Sequence, residues 1–225
     1  MNNIKELEKK VMDRLTWDNR IDESQIEVSI KDNIATLRGC VSTYPEKILA
    51  EIETQFIQEI KSVINNIEIV FPDSYESVED KDVEKSIFCL LDANTEIDSN
   101  DVKVIIKNGN VLLEGNVNSY WKKDKIRRLA SQVKGIISVK DKISVIPDEN
   151  ISDKEIADIL MTSMQNSVHI NANKVNIKVK NGVVTLSGIL HSMGAFKAAI
   201  NIVKSTKGVI NIINNLKWVL RYHTT

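Results

Sequence analysis

Cysteine is scarce in this chain of 225 residues, which contains only Cys40 and Cys89. The two occupy non-equivalent positions of different sequence repeats, so there is no regular disulfide scheme. Neither is accompanied by a repeated His or Asp partner, which argues against reactive thiol chemistry. We therefore expect two free thiols, buried or half-buried.

Long apolar runs are absent as well. No segment approaches the ~18 apolar residues that identify a membrane helix, and residues 1–8 lack the apolar core of a signal peptide. The sequence predicts a cytoplasmic protein that can be peripheral to the membrane. A periplasmic location would apply only if a signal peptide had been removed.

Catalytic patterns are missing too. His169, His191 and His223 have no counterparts in the other repeats, and no His, Cys and carboxylate group has metal-ligand spacing. The glycines of the Asn-Gly pairs lie between two strands rather than before a helix, and no Gly-Lys-Ser follows them, so they are not a phosphate loop. We expect no enzyme activity, no metal and no cofactor.

The net charge of -1 conceals a gradient along the chain. Residues 1–72 carry a net charge of -4 and residues 73–81 a net charge of -3, whereas residues 82–147 carry +2 and residues 148–225 carry +4. The second half is therefore the better partner for an anionic surface.

One nine-residue pattern occurs three times. The copies begin with Lys, centre on Asn-Gly or Asp-Asn, and end with Gly; they occupy residues 31–39, 107–115 and 180–188. The final glycines are 76 and then 73 residues apart, and surrounding apolar positions keep the same offsets. Three copies of one unit account for nearly the whole chain.

Asn-Gly between alternating apolar runs is a strong signal for a β-hairpin, because its tight turn needs positive φ at both central positions. The final glycine then lets the strand bend away, and two later glycines favour left-handed turns after helices. The residues assigned to these structural turns are Asn108, Gly109, Gly115, Gly135, Asn181, Gly182, Gly188 and Gly208.

Each unit has the order helix, strand, strand, helix, strand. Ser152 and Glu155 form a capping-box pattern before the third unit's first helix. Thr43 can cap the first unit's second helix, which has Pro45 in its first turn. Because three strands cannot stand alone, both helices should cover one face of the sheet. The predicted fold class is α+β, with three tandem αββαβ units, each a three-stranded mixed sheet under two helices.

The predicted boundaries follow from this order. The first, divergent domain spans 1–72 and is followed by an acidic linker, 73–81. The second domain spans 82–147, a short linker 148–152, and the third domain 153–221. The third strands are predicted at 67–71, 143–146 and 216–220.

The hairpin pattern V-x-N-G-V-V-T-L-S-G and the later K-G-V-x-x-V/I-x-N/D-x-L/I segment resemble the BON domain (bacterial OsmY and nodulation). Repeats two and three match strongly, whereas repeat one lacks both the hairpin glycine and the later glycine. The resemblance covers about nine tenths of the chain. It implies a protein of three BON domains, in a family associated with phospholipid surfaces, osmotic stress and envelope maintenance rather than catalysis.

A basic stretch begins the second helix of repeat two. It combines two aromatic residues with five bases: Tyr120, Trp121, Lys122, Lys123, Lys125, Arg127 and Arg128. Cations at a helix start oppose the helix dipole, so local helix stability does not explain them. Aromatic rings beside Lys and Arg suit lipid headgroups. A net four charges give only ~4 kcal/mol, or millimolar binding, so several copies would have to engage together. The alternative is a solvated helix face with Trp121 packed on a neighbouring repeat.

The outer sheet faces differ between repeats. Repeat one is polar there, but repeats two and three place apolar residues outside, namely Ile105, Leu112, Ile146, Ile189 and Val219. Uncovered apolar patches are uncommon in soluble monomers, so we predict that these faces pack on another repeat or on a second chain.

The predicted function is non-enzymatic binding of anionic phospholipid surfaces. Two other classes stay open: a protein interaction scaffold, which includes a homo-oligomer, and a sensor of a small ion or metabolite. Nucleic acid is disfavoured as a partner because the total charge is near zero and the single basic stretch lacks a second tract.

Overall fold

A computed structural model describes residues 2–72 and 77–219, and within them each repeat has the predicted order of elements. Helices α1 to α6 span Asn2–Thr16, Tyr44–Gln55, Asp80–Asp92, Tyr120–Ser131, Asp153–Gln165 and Met193–Ser205. Strands β1 to β9 span Ile26–Lys31, Ile34–Val41, Ser62–Ile69, Val102–Lys107, Asn110–Val117, Ser138–Val145, Val175–Lys180, Val183–Leu190 and Asn211–Trp218.

Each repeat builds its own three-stranded sheet, with the strand orders β1-β2-β3, β4-β5-β6 and β7-β8-β9. In the first and third sheets the hairpin strands pair antiparallel, and the last strand pairs parallel with the middle one. The fold class is therefore α+β, with three mixed sheets and two helices in each repeat, as the sequence predicts.

The chain forms two compact units. The first contains residues 1–90, 104–112 and 129–140, and the second contains residues 91–103, 113–128 and 141–225. The first repeat belongs to the first unit and the third repeat to the second unit, whereas the middle repeat contributes to both. The predicted linker residues 73–76 and the predicted end of the third domain at 220–221 lie outside the described residues.

The helices of a repeat bury their apolar stripes against its sheet. In the third repeat, Ile156 and Leu160 of α5 are fully buried with Val184 and Leu186 of the middle strand and Val203 of α6. The first repeat has the same arrangement around its own middle strand. The alternation of two along strands and the helical spacing along helices place these residues inside.

The hairpin turns have the predicted geometry. Asn181 and Gly182 have φ of 51° and 72°, and the worn copy in repeat one still has positive φ at Asp32 and Asn33, of 52° and 64°. A Cβ atom on Gly182 would lie 2.9 Å from the carbonyl oxygen of Gly208, so glycine also serves a close backbone approach there.

The glycine that ends each nine-residue pattern does not end the strand. Gly188 pairs with Val175 inside β8, which continues to Leu190. Its φ is 140°, and a Cβ atom there would collide with the carbonyl oxygen of Lys174. Glycine is required at this position by the approach of the neighbouring strand, not by a strand end.

The third strands begin five residues earlier than predicted; β9, for example, starts at Asn211 rather than at 216. Asn214 interrupts the apolar alternation, because it stands on the same side of β9 as Ile212 and Leu216. Its Oδ1 accepts a hydrogen bond from the Leu216 backbone N–H at 3.1 Å, and Asn65 and Asp141 make the same contact in the other repeats. A polar residue thus occupies a position on the same side of the strand as the apolar residues, and it interrupts the hydrophobic pattern in the first half of the strand.

The helix starts are confirmed. The Ser152–Glu155 capping box is present, and Thr43 accepts from the Glu46 N–H at the start of α2. The helix ends differ from the prediction, because α4 stops at Ser131 and α6 at Ser205, before Gly135 and Gly208. Those glycines have φ of 94° and 80° in the turn that follows.

Candidate functional site at the start of α4

All seven residues of the predicted basic cluster lie on α4, within its first three turns. They belong to the second compact unit. Ser119 precedes the helix, and its Oγ is buried without a hydrogen-bond partner. The corresponding hydroxyls in the other repeats, those of Thr43 and Ser192, cap their helices by accepting a backbone N–H.

Tyr120 is half-buried and packs against the core of the third repeat. Burial and the nearby negative charge of Asp124 raise the pKa of its phenol. Its ring therefore serves packing within the second compact unit.

Trp121 lines a cavity of about 270 Å³. The ammonium groups of Lys122 and Lys125 each lie 5.9 Å from the centroid of its ring, within cation–π range. Ile151 and Thr206, from the segments next to α5 and α6, line the same cavity. The Trp121 ring thus faces a partly apolar recess in the second unit.

Asp124, the single acid in the basic stretch, is the residue that sequence reasoning missed. It is only 7% exposed. Its carboxylate accepts from Arg127 at 3.1 Å and from Lys204 of α6 at 3.0 Å, and it lies 3.3 Å from Arg128. Burial acts to raise the pKa of Asp124, but the hydrogen bonds and charges of Lys204 and Arg127 lower it below its usual value. This carboxylate joins α4 of repeat two to α6 of repeat three.

Two lysines of the cluster bind carbonyl or carboxylate oxygens of neighbouring segments. Lys123 donates to the carbonyl oxygen of Ile143 at 2.7 Å, and its Nζ lies 3.7 Å from Asp141. Lys125 donates to Glu96 at 2.5 Å. Both side chains are about three quarters buried.

The arginines remain the most accessible cations. The side chains of Arg127 and Arg128 are 46% and 63% exposed even though both pair with Asp124. Within the described residues, Lys122 has no carboxylate partner. With Lys204 included, the cluster has six cations and three carboxylates, those of Asp124, Asp141 and Glu96. Its net charge is therefore positive, though smaller than the sequence alone indicates.

The predicted interaction faces differ in accessibility. Ile105, Ile146 and Ile189 are exposed, whereas Leu112 and Val219 are half-buried. These residues lie in different repeats, and each of the three exposed side chains belongs to a strand or its immediate end.

The thiols and histidines differ little from expectation. Cys40 is half-buried and its thiol donates to Gln25, but Cys89 is exposed on α3, which the expectation of burial did not foresee. His169 and His191 are exposed, and His223 lies outside the described residues.

Two features are absent from the part of the chain that the structure describes. Across residues 2–72 and 77–219, no group of three or more His, Cys, Asp or Glu side chains is arranged to hold a metal ion. No helix in that part of the chain combines the length and apolar character needed to cross a membrane.

The fold defines an α+β protein of tandem αββαβ repeats. The BON domain matches residues 3–70, 79–147 and 152–219, so the chain belongs to the BON domain family. This confirms the resemblance drawn from the hairpin and the later glycine segment.

Two curated relatives match about half of the chain. An uncharacterized protein in the gshII 5′ region of Anaplasma centrale is 33% identical over 122 residues, which cover 52% of this chain and 80% of that protein. The osmotically-inducible protein Y of Escherichia coli is 30% identical over 127 residues, which cover 54% of this chain and 63% of that protein.

Solved structures of CdsD, a structural protein of the type III secretion system of Chlamydia trachomatis, also match. The first is 15% identical, covers 98% of this chain and 94% of its own, and has a TM-score of 0.27.

Proposed function

We propose that this chain is a non-enzymatic binding protein that contacts anionic phospholipid surfaces through the start of α4, in a response to osmotic stress. The stress role is drawn from the osmotically-inducible E. coli relative. The observation that supports lipid contact is the accessible cationic edge formed by Arg127 and Arg128, with Lys122 and Trp121 one to two turns earlier. Guanidinium groups suit phosphate because their donors match its oxygens in pairs.

The strength of this contact is limited. A net three charges near an anionic surface contribute about 3 kcal/mol, which is millimolar binding. Measurable attachment therefore requires several copies of the chain, or several repeats, on one membrane. Higher salt should weaken it, since the charges are exposed.

Vesicle sedimentation tests the proposal. We expect the full chain to sediment at low salt with vesicles of phosphatidylcholine and phosphatidylglycerol, and not with phosphatidylcholine alone. Reversing the charge of Lys122, Arg127 and Arg128 to Glu should abolish sedimentation. The matched control reverses Lys31, Arg20 and Arg38 of repeat one to Glu, with the same change in net charge. Equal loss in both variants, or binding that survives the first, would refute a site on α4.

A scaffold for other proteins is the second candidate, because large apolar side chains are exposed on a strand or at its immediate end. Ile146 is 59% exposed and Ile189 is 48% exposed. Contiguous apolar patches of this kind, where they exceed a few hundred Å², mark interaction sites.

A further inference from the structure

An open cleft lies on the surface between the two helices of the third repeat, which also contact each other. It has a volume of about 750 Å³ and is lined by residues of α5 and α6 and by the segments that precede α5 and follow α6. Its apolar wall consists of Ile151, Ile159 and Ile202, and Ile159 is 44% exposed. The size falls in the range of small-molecule and peptide side-chain pockets, ~300–1,000 Å³.

At the equivalent position of the first repeat, ion pairs connect the two helices. Arg14 of α1 lies 2.6 Å from Glu53 of α2, and Lys10 lies 2.7 Å from Glu59 just beyond α2. Both pairs join the first helix of the repeat to the second helix or the turn after it.

In the third repeat these four positions have lost every charge. Ser163 and Ile202 replace Arg14 and Glu53, and Ile159 and Gly208 replace Lys10 and Glu59. The ion pairs are peculiar to repeat one, because repeat two also lacks these charges, with Ser86, Leu90, Leu129 and Gly135 at the four positions. In repeat three, apolar side chains line the cleft instead. Ile159 is thus exposed where repeat one carries a bridging Lys, and with Ile151 and Ile202 it lines the cleft.

The rim of the cleft is acidic. Glu149, Glu155 and Asp158 line it, against one base, Lys207, whose Nζ lies 3.8 Å from Glu149. Hydrogen bonds from Ser152 lower the pKa of Glu155, so its charge persists into mild acid. Within the described residues Asp158 has no ion-pair partner, and the other repeats carry Lys9 and Lys85 at its position.

We propose that the cleft between α5 and α6 docks a basic amphipathic helix from a partner protein. Two helices with aliphatic side chains between them form the groove that such a helix enters with residues at i, i+3, i+4 and i+7. The acidic rim selects Lys or Arg on the flanks of that helix and disfavours an acidic one.

Fluorescence anisotropy on the full chain tests this with a labelled 14-residue helix of Leu and Lys, roughly two heptads long. The comparison peptide has the same Leu pattern with Glu in place of Lys. We expect the Leu/Lys peptide to bind at least about tenfold more tightly than the Leu/Glu peptide. Equal binding of the two peptides would overturn the proposal.

The decisive variant copies the closed arrangement of repeat one into repeat three. Ser163→Arg with Ile202→Glu recreates the Arg14–Glu53 pair, which the fold already accommodates. We expect unchanged circular dichroism and at least about tenfold weaker binding of the Leu/Lys peptide. Undiminished binding by the folded variant would refute the cleft as the docking site.

A second variant keeps the proposal testable if the first variant misfolds. Asp158→Lys changes one exposed residue to the type present in the sibling repeats, and we expect at least about fivefold weaker binding of the Leu/Lys peptide. Asp13→Lys on α1 makes the same change of charge in repeat one and should leave binding unaltered. Equal effects of the two substitutions would show an influence of net charge alone and would contradict the proposal.

Discussion

At the scale of single residues, one carboxylate accepts two backbone hydrogen bonds from each Asn-Gly hairpin turn. The two oxygens of Asp153, the first residue of α5, accept the backbone N–H groups of Asn181 and Gly182, both at 2.8 Å. Asp80 holds the turn of the second repeat in the same way, at 2.7 and 2.9 Å. Repeat one has Ile4 at this position. The carboxylate also lies at a helix start, where negative charge is favourable.

We predict that Asp153→Ala lowers the free energy of unfolding by about 1–2 kcal/mol, because two backbone donors lose a charged acceptor. Urea denaturation followed by circular dichroism measures the change. Asp158→Ala, on the exposed side of the same helix, is the matched control and should shift stability by less than about 0.5 kcal/mol. Similar losses in both variants would mean that the turn amides gain nothing from Asp153.

At the scale of elements, α4 and α6 are joined by a buried charge network rather than by apolar packing alone. Asp124 of α4 binds Lys204 of α6, and the side chain of Asp124 is only 8% exposed. Its pKa is lower in the folded chain than in the unfolded one, as the partners favour the charged form. Such a group stabilises the fold above its unfolded pKa, ~3.9, and loses that contribution as pH falls through its folded pKa.

We therefore predict that Asp124→Asn destabilises the chain at pH 7 and that this deficit shrinks as pH falls below ~4. The carboxylate of the unfolded chain is protonated first, and the deficit is smallest below the lowered folded pKa, where the native carboxylate is protonated too. Thermal unfolding of both proteins between neutral and acidic pH gives the two curves. Asp98→Asn in the second repeat removes an exposed carboxylate and serves as the control. A deficit that stays constant with pH would show that the charge of Asp124 is not the cause.

The sequence predicted most of the elements and few of the contacts between them. Asn-Gly corners, Ser and Thr caps and helical spacing are local signals, so the hairpins and the starts of α2 and α5 were found. The link from Asp124 to Lys204 joins residues 80 positions apart, and neither residue is part of a local pattern. Asn214 is not recognisable as a strand residue, because an amide on the same side of the strand as Ile212 and Leu216 breaks the alternation on which strand recognition depends.

The Asp153 contact corresponds to a recurring pattern in the sequence. Asp80 and Asp153 each precede the Asn of their turn by 28 residues, and the Asp is absent from the repeat with the worn turn. A recurrence of this kind indicates a long-range hydrogen bond when the repeats are aligned with one another. The absence of the Arg14–Glu53 and Lys10–Glu59 pairs from the third repeat is likewise visible when the siblings are compared position by position.

At the scale of the whole molecule, one duplicated fold carries three different surfaces. Repeat one has polar Ser29 and Thr36 where repeat two has Ile105 and Leu112, and the net charge rises from the first repeat to the third. Ile105 is exposed and Leu112 is half-buried. The first and third repeats have equivalent cores, whereas outward positions such as these differ from repeat to repeat.

We predict that Ile105→Lys with Leu112→Lys changes the oligomeric mass or lowers the melting temperature, because the substitutions place charge in a face that we propose to be covered. Light scattering and thermal unfolding of the full chain measure the two quantities. Ser29→Lys with Thr36→Lys alters the equivalent polar positions of repeat one and should change neither. An unaltered mass and an unaltered melting temperature in the first variant would contradict the prediction that this face is covered.

The carboxylate of Asp153 also determines how the third repeat unfolds locally. Since the acceptor belongs to a helix and both donors to a hairpin corner, unwinding the first turn of α5 uncovers the corner at the same moment. That end of the repeat therefore opens as one cooperative piece. In the first repeat Ile4 makes no such contact, and the helix is tied to the hairpin one turn further along, where Glu8 accepts from the Ile30 N–H at 3.1 Å. Fraying of the first turn of α1 therefore leaves its hairpin corner closed, so sibling domains with one architecture open in different ways.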